Sequence, residues 1–202
     1  QGLSAKNQAN FPSFGLPPVP MPAIIRTLPF TICKKNRWCT MKILVLSDSH
    51  SSLRFMRLAL QKIRPDAFIH LGDYYQDAQA MAEEFPEIPG YFVAGNCDSG
   101  RTPMGIPLTQ REKLGGVKLL LTHGHLFHVK YDTAALIREA ETDRVQAVLY
   151  GHTHVPDIRQ TETGLWVVNP GSSGLAGAAA VLEIENERIK ECYLVSRRDL
   201  EE

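Results

Sequence analysis

Metal-capable side chains recur at one kind of place in this 202-residue sequence, directly after short apolar runs. The series is Asp48-Ser-His50, Gly72-Asp73, Gly95-Asn96-Cys97-Asp98, Thr122-His-Gly-His125, Gly151-His-Thr-His154 and Asn169-Pro-Gly-Ser172. Carboxylate oxygen, imidazole nitrogen and amide oxygen together suit Mn²⁺, Fe, Zn²⁺ or Ni²⁺, whereas Ca²⁺ wants an all-oxygen set. Seven side chains qualify as ligands: Asp48, His50, Asp73, Asn96, His123, His152 and His154. One ion cannot use so many. One carboxylate bridging two ions, with three further ligands on each, uses all of them, and two ions about 4 Å apart form a clamp for displacement at phosphorus.

The apolar runs predict the elements that must carry these residues. Residues 42–46 read as a buried strand. Ser51 and Ser52 can cap a helix with Leu53, Met56, Leu60 and Ile63 at helical spacing, stopped by Pro65. A strand at 67–70, a helix at 77–84 and a strand at 91–94 follow. The pattern then changes to a hairpin over 108–114 and 117–121, a helix at 134–142, a strand at 145–150, and hairpins around Thr163-Gly164 and Asn186-Glu187. The first half is βαβαβ and the second is mostly strands. The expected fold is α/β (α+β), a four-layer αββα sandwich of two mixed β-sheets flanked by helices. Ligands bind at the carboxyl ends of strands in open sheets, where the series above lies. Gly72, Gly95 and Gly151 fit loops that turn sharply or let a backbone come close.

Charge divides the chain. The 22 basic and 22 acidic residues cancel, yet residues 1–40 hold five basic residues, no acidic one, and six of the 13 prolines. The rest carries 17 basic against 22 acidic residues, which argues against non-specific nucleic-acid binding. Three readings of residues 1–40 stay open: sequence ahead of a start at Met41, a basic targeting peptide, or a disordered arm. The first is favoured, because Met41 opens a strand at once, so residues 41–202 are expected to form the domain. With 44% hydrophobic and 22% charged residues the sequence is that of a globular protein. No apolar run approaches the roughly 20 residues of a membrane helix. Cys33, Cys39, Cys97 and Cys192 show no CxxC spacing, so neither a zinc knuckle nor a disulfide scaffold is expected, and a cytoplasmic location is.

Taken in order, Asp-x-His, Gly-Asp, Gly-Asn-x-Asp, Thr-His-Gly-His and Gly-His-x-His resemble the calcineurin-like metallophosphoesterase superfamily. The shortness of the chain and its Gly95-Asn96-Cys97-Asp98 resemble the small YfcE-family phosphodiesterase branch, from Met41 to about Val195. The resemblance implies that Asp48, His50 and His154 hold one ion, that Asn96, His123 and His152 hold the other, and that Asp73 bridges them. It implies two divalent ions, with Mn²⁺ first and Ni²⁺, Zn²⁺ or Fe admitted. A water or hydroxide between them would attack phosphorus in a small phosphodiester or nucleotide. Asn96 would also reach a phosphoryl oxygen. Many members carry His after Gly-Asn as the acid for the leaving group, where this chain has Cys97. A neutral thiol is a poor substitute, which leaves His125 as the nearest candidate.

Each of these residues has a plainer alternative. Asp48 could be a helix cap, and Asp73 and Asn96 could be turn formers. His70 reads as a core histidine or a partner of ligands, and Asp98 as an orienter of a ligand histidine or a partner of Arg101. Tyr74, Tyr75 and Phe127 could stack on a base or simply pack. His128 reads as a surface residue. Two further readings of the whole remain: a non-catalytic scaffold of the same fold, as in the retromer coat, and a phosphomonoesterase. Retention of all seven candidate ligands favours the enzyme. The absence of a basic residue in the motifs weakly favours the diester over the dianionic monoester. Oligomeric state stays open, although a small hydrolase often self-associates.

Overall fold

Ile43 and Val45 face one way from the first strand and Leu44 and Leu46 the other, and all four are fully buried. A strand covered on both faces belongs to an inner layer, and this alternation sets the architecture. In the computed structural model residues 40–100 and 105–202 are described. The expected separate segment 1–40 lies outside them apart from Thr40, which opens the first strand.

The first sheet is built from β1 (Thr40–Leu46), α1 (Leu53–Ile63), β2 (Ala67–His70), α2 (Tyr75–Glu84) and β3 (Gly90–Phe92). The second contains β4 (Thr109–Leu114), β5 (Val117–Thr122), α3 (Ala134–Thr142), β6 (Ala147–Leu149), β7 (Asp157–Gln160) and β8 (Trp166–Asn169). The chain then returns to the first sheet with β9 (Ala178–Glu185) and β10 (Arg188–Ser196) and ends in α4 (Arg197–Glu201). Strand orders are β10-β9-β1-β2-β3 and β4-β5-β6-β8-β7. β1, β2 and β3 are parallel, as are β5, β6 and β8, while β9 lies antiparallel to β1.

Three apolar clusters separate four layers. Ile43, Val45, Ile69 and Leu182 meet Leu119, Leu121, Leu149 and Val168 between the sheets. Phe55, Met56, Leu60, Met81 and Leu200 cover the outer face of the first sheet, and Leu136 and Ala140 that of the second. This is the expected αββα sandwich.

Several element ends differ from the sequence reading. β3 stops at Phe92, because the Ala94 amide turns away to the Pro107 carbonyl (2.9 Å). α2 starts at Tyr75 rather than Asp77. Ser52 precedes α1 in extended conformation, but its side chain makes no capping bond. The helix ends at Arg64, in left-handed conformation (φ 49°), just before Pro65. α4 was not expected. Its signal is Ser196-x-x-Asp199, a reciprocal cap in which the Asp199 carboxylate accepts from the Ser196 amide and hydroxyl, both at 2.7 Å. Cys97 and Cys192 carry free thiols. No helix among the described residues is long and apolar enough to cross a membrane.

Candidate metal centre

Loops from the carboxyl ends of both sheets interlock above the inter-sheet core. The Asp48 amide donates to the Gly72 carbonyl (3.0 Å), linking the loops after β1 and β2. His123, after β5, sets its Nδ1 2.8 Å from the Leu71 carbonyl, across from one sheet to the other. The His152 amide, after β6, donates to Asp48 Oδ2 (3.1 Å), which also accepts from the Ser47 hydroxyl (2.5 Å). Such closeness excludes side chains at several glycines of these loops, Gly95 and Gly151 among them. A Cβ at Gly95 would strike the Asp73 carboxylate, and one at Gly151 the Ser47 hydroxyl.

The loop backbone is strained where the candidate ligands sit. Asp48, His50, Asp73, His152 and His154 all have positive φ, between 45° and 69°, and so do Ser51 and Tyr74. Non-glycine residues rarely adopt this region, and each instance costs of order 1–3 kcal/mol. Clustering of such residues in one place marks a site whose geometry is imposed by its surroundings.

The side chains fall into two groups. Single donor atoms of Asp48, His50, Asp73 and His154 all lie within 4.8 Å of one another, as do those of Asp73, His123 and His152. Asp73 is common to both. In the first group His154 Nε2 is 3.1 Å from Asp48 Oδ1 and 3.3 Å from His50 Nε2. In the second, His123 Nε2 is 3.5 Å from Asp73 Oδ2, 3.2 Å from His152 Nδ1 and 3.2 Å from Asn96 Oδ1. Asn96 thereby sets its Oδ1 beside the second group. It is exposed, at the mouth of the site. The structure thus brings together all seven residues singled out in the sequence.

The donor chemistry fits divalent cations. Asp48 Oδ1 is buried with no hydrogen-bond partner, although His154 Nε2 is close by. His123 has its Nδ1 against the Leu71 carbonyl, which leaves Nε2 as the nitrogen that would face an ion. Burial and the neighbouring His123 push the His152 imidazole down to about 4, so it carries a free lone pair at neutral pH. Burial alone would raise Asp73. The His123 imidazole and the Cys97 amide (2.8 Å from Oδ1) outweigh it and hold the carboxyl well below its usual range. Burial opposes charge on His123 as well, but the hydrogen bond to Asp73 and the Asp48 carboxylate raise its pKa.

The other singled-out residues take distinct positions. Burial and the Asp73 carboxylate push the Cys97 thiol up, so it is protonated at neutral pH. The His125 ring lies 5.4 Å from that of His123 and 6.1 Å from that of His152, and burial beside His123 lowers its pKa. Asp98 accepts from the backbone amides of Gly95 and Tyr75, both at 2.8 Å, tying the Asn96 turn to the start of α2; Arg101 lies outside the described residues. His70 is fully buried under the site, 3.2 Å from the Ser49 hydroxyl. Tyr74 packs edge-on against His50 (5.3 Å), Tyr75 packs on Phe92, and Phe127 joins the α3 core. His128 is exposed. Asn169 binds the Gly151 carbonyl (3.0 Å), and the Ser172 hydroxyl binds the Asp48 carbonyl (2.8 Å), so this loop braces the site from below. The sequence reading missed Ser47, Ser49 and Asp77, and also Ser173, whose hydroxyl donates to the Ser47 carbonyl (2.9 Å). Their one signal was the placing of Ser47 and Ser49 on either side of Asp48.

Residues 41–187 match the Calcineurin-like phosphoesterase superfamily domain. The chain belongs to this superfamily. It is 30% identical over 155 residues to the "Probable metallophosphoesterase YsnB" of Bacillus subtilis (strain 168), covering 73% of this chain and 86% of that protein. It is 32% identical over 154 residues to the "Phosphodiesterase YfcE" of Escherichia coli (strain K12), covering 65% of this chain and 79% of that one. Among solved structures it is similar to a conserved uncharacterized protein, a predicted phosphoesterase, from Streptococcus pneumoniae TIGR4. The TM-score is 0.62 at 25% identity, covering 79% of this chain and 99% of that one. Vacuolar Protein Sorting 29 of Cryptosporidium parvum shares the fold at a TM-score of 0.62 and 14% identity, over 78% of this chain and 99% of that one. For a metallophosphoesterase, two clusters of candidate ligands are the expected place for divalent ions.

Proposed function

We propose that this metallophosphoesterase hydrolyses small phosphodiesters, nucleotides among them, in a site for two divalent ions, with Mn²⁺ the first to test. The observation that carries the reading is the sharing of Asp73 between the two donor groups. Asp48, His50 and His154 would hold one ion, Asn96, His123 and His152 the other, and Asp73 both. Divalent ions in such a pair polarise phosphoryl oxygens and make a water acidic enough to attack phosphorus.

The chain's own residues then select the substrate. Asn96, exposed beside the second group, would touch a phosphoryl oxygen. Cys97 and His125 are both neutral at neutral pH, so neither is a strong acid toward a departing alkoxide. This favours leaving groups stable enough to depart unaided. No described Lys or Arg hydrogen-bonds any of the seven residues, and Lys130 acts on His152 only by its field. A monoanionic diester needs less positive charge from the protein than a dianionic monoester.

The test is hydrolysis of bis(4-nitrophenyl) phosphate and 4-nitrophenyl phosphate by metal-stripped protein reloaded with Mn²⁺, Ni²⁺, Zn²⁺ or Fe²⁺. Turnover of the diester, absent from stripped protein and restored by an ion, is expected. Protein that takes up two ions and hydrolyses neither compound would favour a binding module.

A further inference from the structure

Beneath the first donor group lies a polar chain that the proposed reaction does not use. The Ser49 hydroxyl is 2.7 Å from Asp77 Oδ2, 3.2 Å from His70 Nε2 and 3.3 Å from the Asp73 carbonyl. Ser49 and His70 are fully buried and Asp77 nearly so. Asp77 Oδ2 also accepts from the Ser51 amide (2.8 Å), and the Asp77 amide donates to Tyr74 in the first turn of α2. Serine, histidine and aspartate in contact suggest a nucleophile, but the proton order excludes it. The hydroxyl has one hydrogen, and the short bond to Asp77 uses it. Ser49 therefore accepts from His70 Nε2–H, which leaves Nδ1 as the bare nitrogen, and that atom has no partner. The chain runs His70 to Ser49 to Asp77, so the imidazole is not a base for the serine, and the fully buried hydroxyl meets no substrate.

What this chain grips is the segment 48–51. Three of its four residues, Asp48, His50 and Ser51, have positive φ (54°, 45° and 66°). A non-glycine segment in that conformation relaxes unless it is held. Asp77 holds it from the α2 side by the Ser49 side chain and the Ser51 backbone, the bonds on either side of His50. Asp77 also stands four residues beyond Asp73, at the start of the helix that follows the Asp73 loop. One carboxylate thus fixes the distance between the His50 loop and the Asp73 loop.

We infer that Asp77, acting through Ser49, whose hydroxyl His70 supports from the other side, is a positioning residue that sets His50 for cation binding by the first donor group. This rests on the two-ion reading above. Removing partners that orient ligands typically weakens metal binding 10- to 100-fold.

The experiment is calorimetric titration of full-length, metal-stripped wild type, Asp77→Ala, Asp77→Asn and Ser49→Ala with Mn²⁺, together with ¹⁵N spectra of the histidine rings before any metal is added. In Asp77→Ala one binding event should weaken at least about 10-fold while the other stays within about 3-fold. Asp77→Asn, which keeps an acceptor oxygen, should recover part of the loss, and Ser49→Ala should show the same selectivity if Asp77→Ala fails to fold. In the metal-free spectra the His50 signals should move and the His152 signals should not. Equal affinities for both events together with unmoved His50 signals would overturn the inference. So would equal weakening of both events with no recovery in Asp77→Asn. Wild type that binds no ion would count against the two-ion reading alone, because the histidine signals test the placement of His50 without metal.

Discussion

His123 Nε2 stands 3.5 Å from Asp73 Oδ2 while the opposite nitrogen of the same ring lies 2.8 Å from the Leu71 carbonyl. The ring therefore spans the two sheets. Leu71 and Asp73 flank Gly72 just after β2, and His123 follows β5, so the two sheets are tied at the point where their candidate ligands meet. Asp73 gains its position in both donor groups from this contact and from the Cys97 amide on its other oxygen.

Because Asp73 serves both groups, Asp73→Ala should weaken both binding events at least about 100-fold, above the range for losing a mere orienting partner. Elemental analysis after desalting should find less than one ion per chain, and diester hydrolysis should be lost. Full activity in this variant would remove Asp73 from the site.

Gly95 has an ordinary extended backbone, so Gly95→Ala tests space alone. The new methyl meets the Asp73 carboxylate and amide. Overpacking of this kind costs about 1–3 kcal/mol. Denaturant unfolding should show that loss, and metal uptake should fall with it. A variant that keeps both stability and metal content would mean that the loop has room to spare.

Cys97→His should keep both ions and speed only reactions that need a proton donor. For a diester with an alkyl leaving group the gain expected from general acid catalysis is about 100-fold. For 4-nitrophenyl leaving groups the rate should hardly change. Equal effects on both substrates would separate residue 97 from the leaving group.

Burial holds His70 down to about 3, against 6.5 for a free imidazole. Between these values the unfolded chain binds a proton that the folded chain refuses, so stability falls as pH falls through that window. The slope from this group is at most about 1.4 kcal/mol per pH unit. Urea unfolding of EDTA-treated protein from pH 7 to pH 4 should be shallower in His70→Gln than in wild type. Matching slopes would show that His70 is not the group responsible.

The layers and the donor set were legible in the sequence because both are written locally. The unbroken apolar run at 43–46, the helical spacing from Leu53 to Ile63 and the glycine and asparagine turns each state their own element. The return of β9 to pair with β1 was not legible. Its register, Leu44 against Val181, joins residues far apart in the chain and follows from burial in the inter-sheet core. The seven donors were found by their repeated place after strands. Their division between two groups came only by resemblance, since no spacing in the chain says that His123 faces Asp73. Asp77 escaped because an acid in the first turn of a helix is ordinary. Only the folded chain shows it facing Ser49 rather than water.

The left-handed residues of the site imply a conflict of interests in this protein. Asp48, His50, Asp73, His152 and His154 hold backbone shapes that glycine would adopt without penalty. A metal-free protein with glycine at any of them should be easier on its backbone and useless at its task. The strain of these residues is a cost of folding that only the placing of the donor side chains offsets.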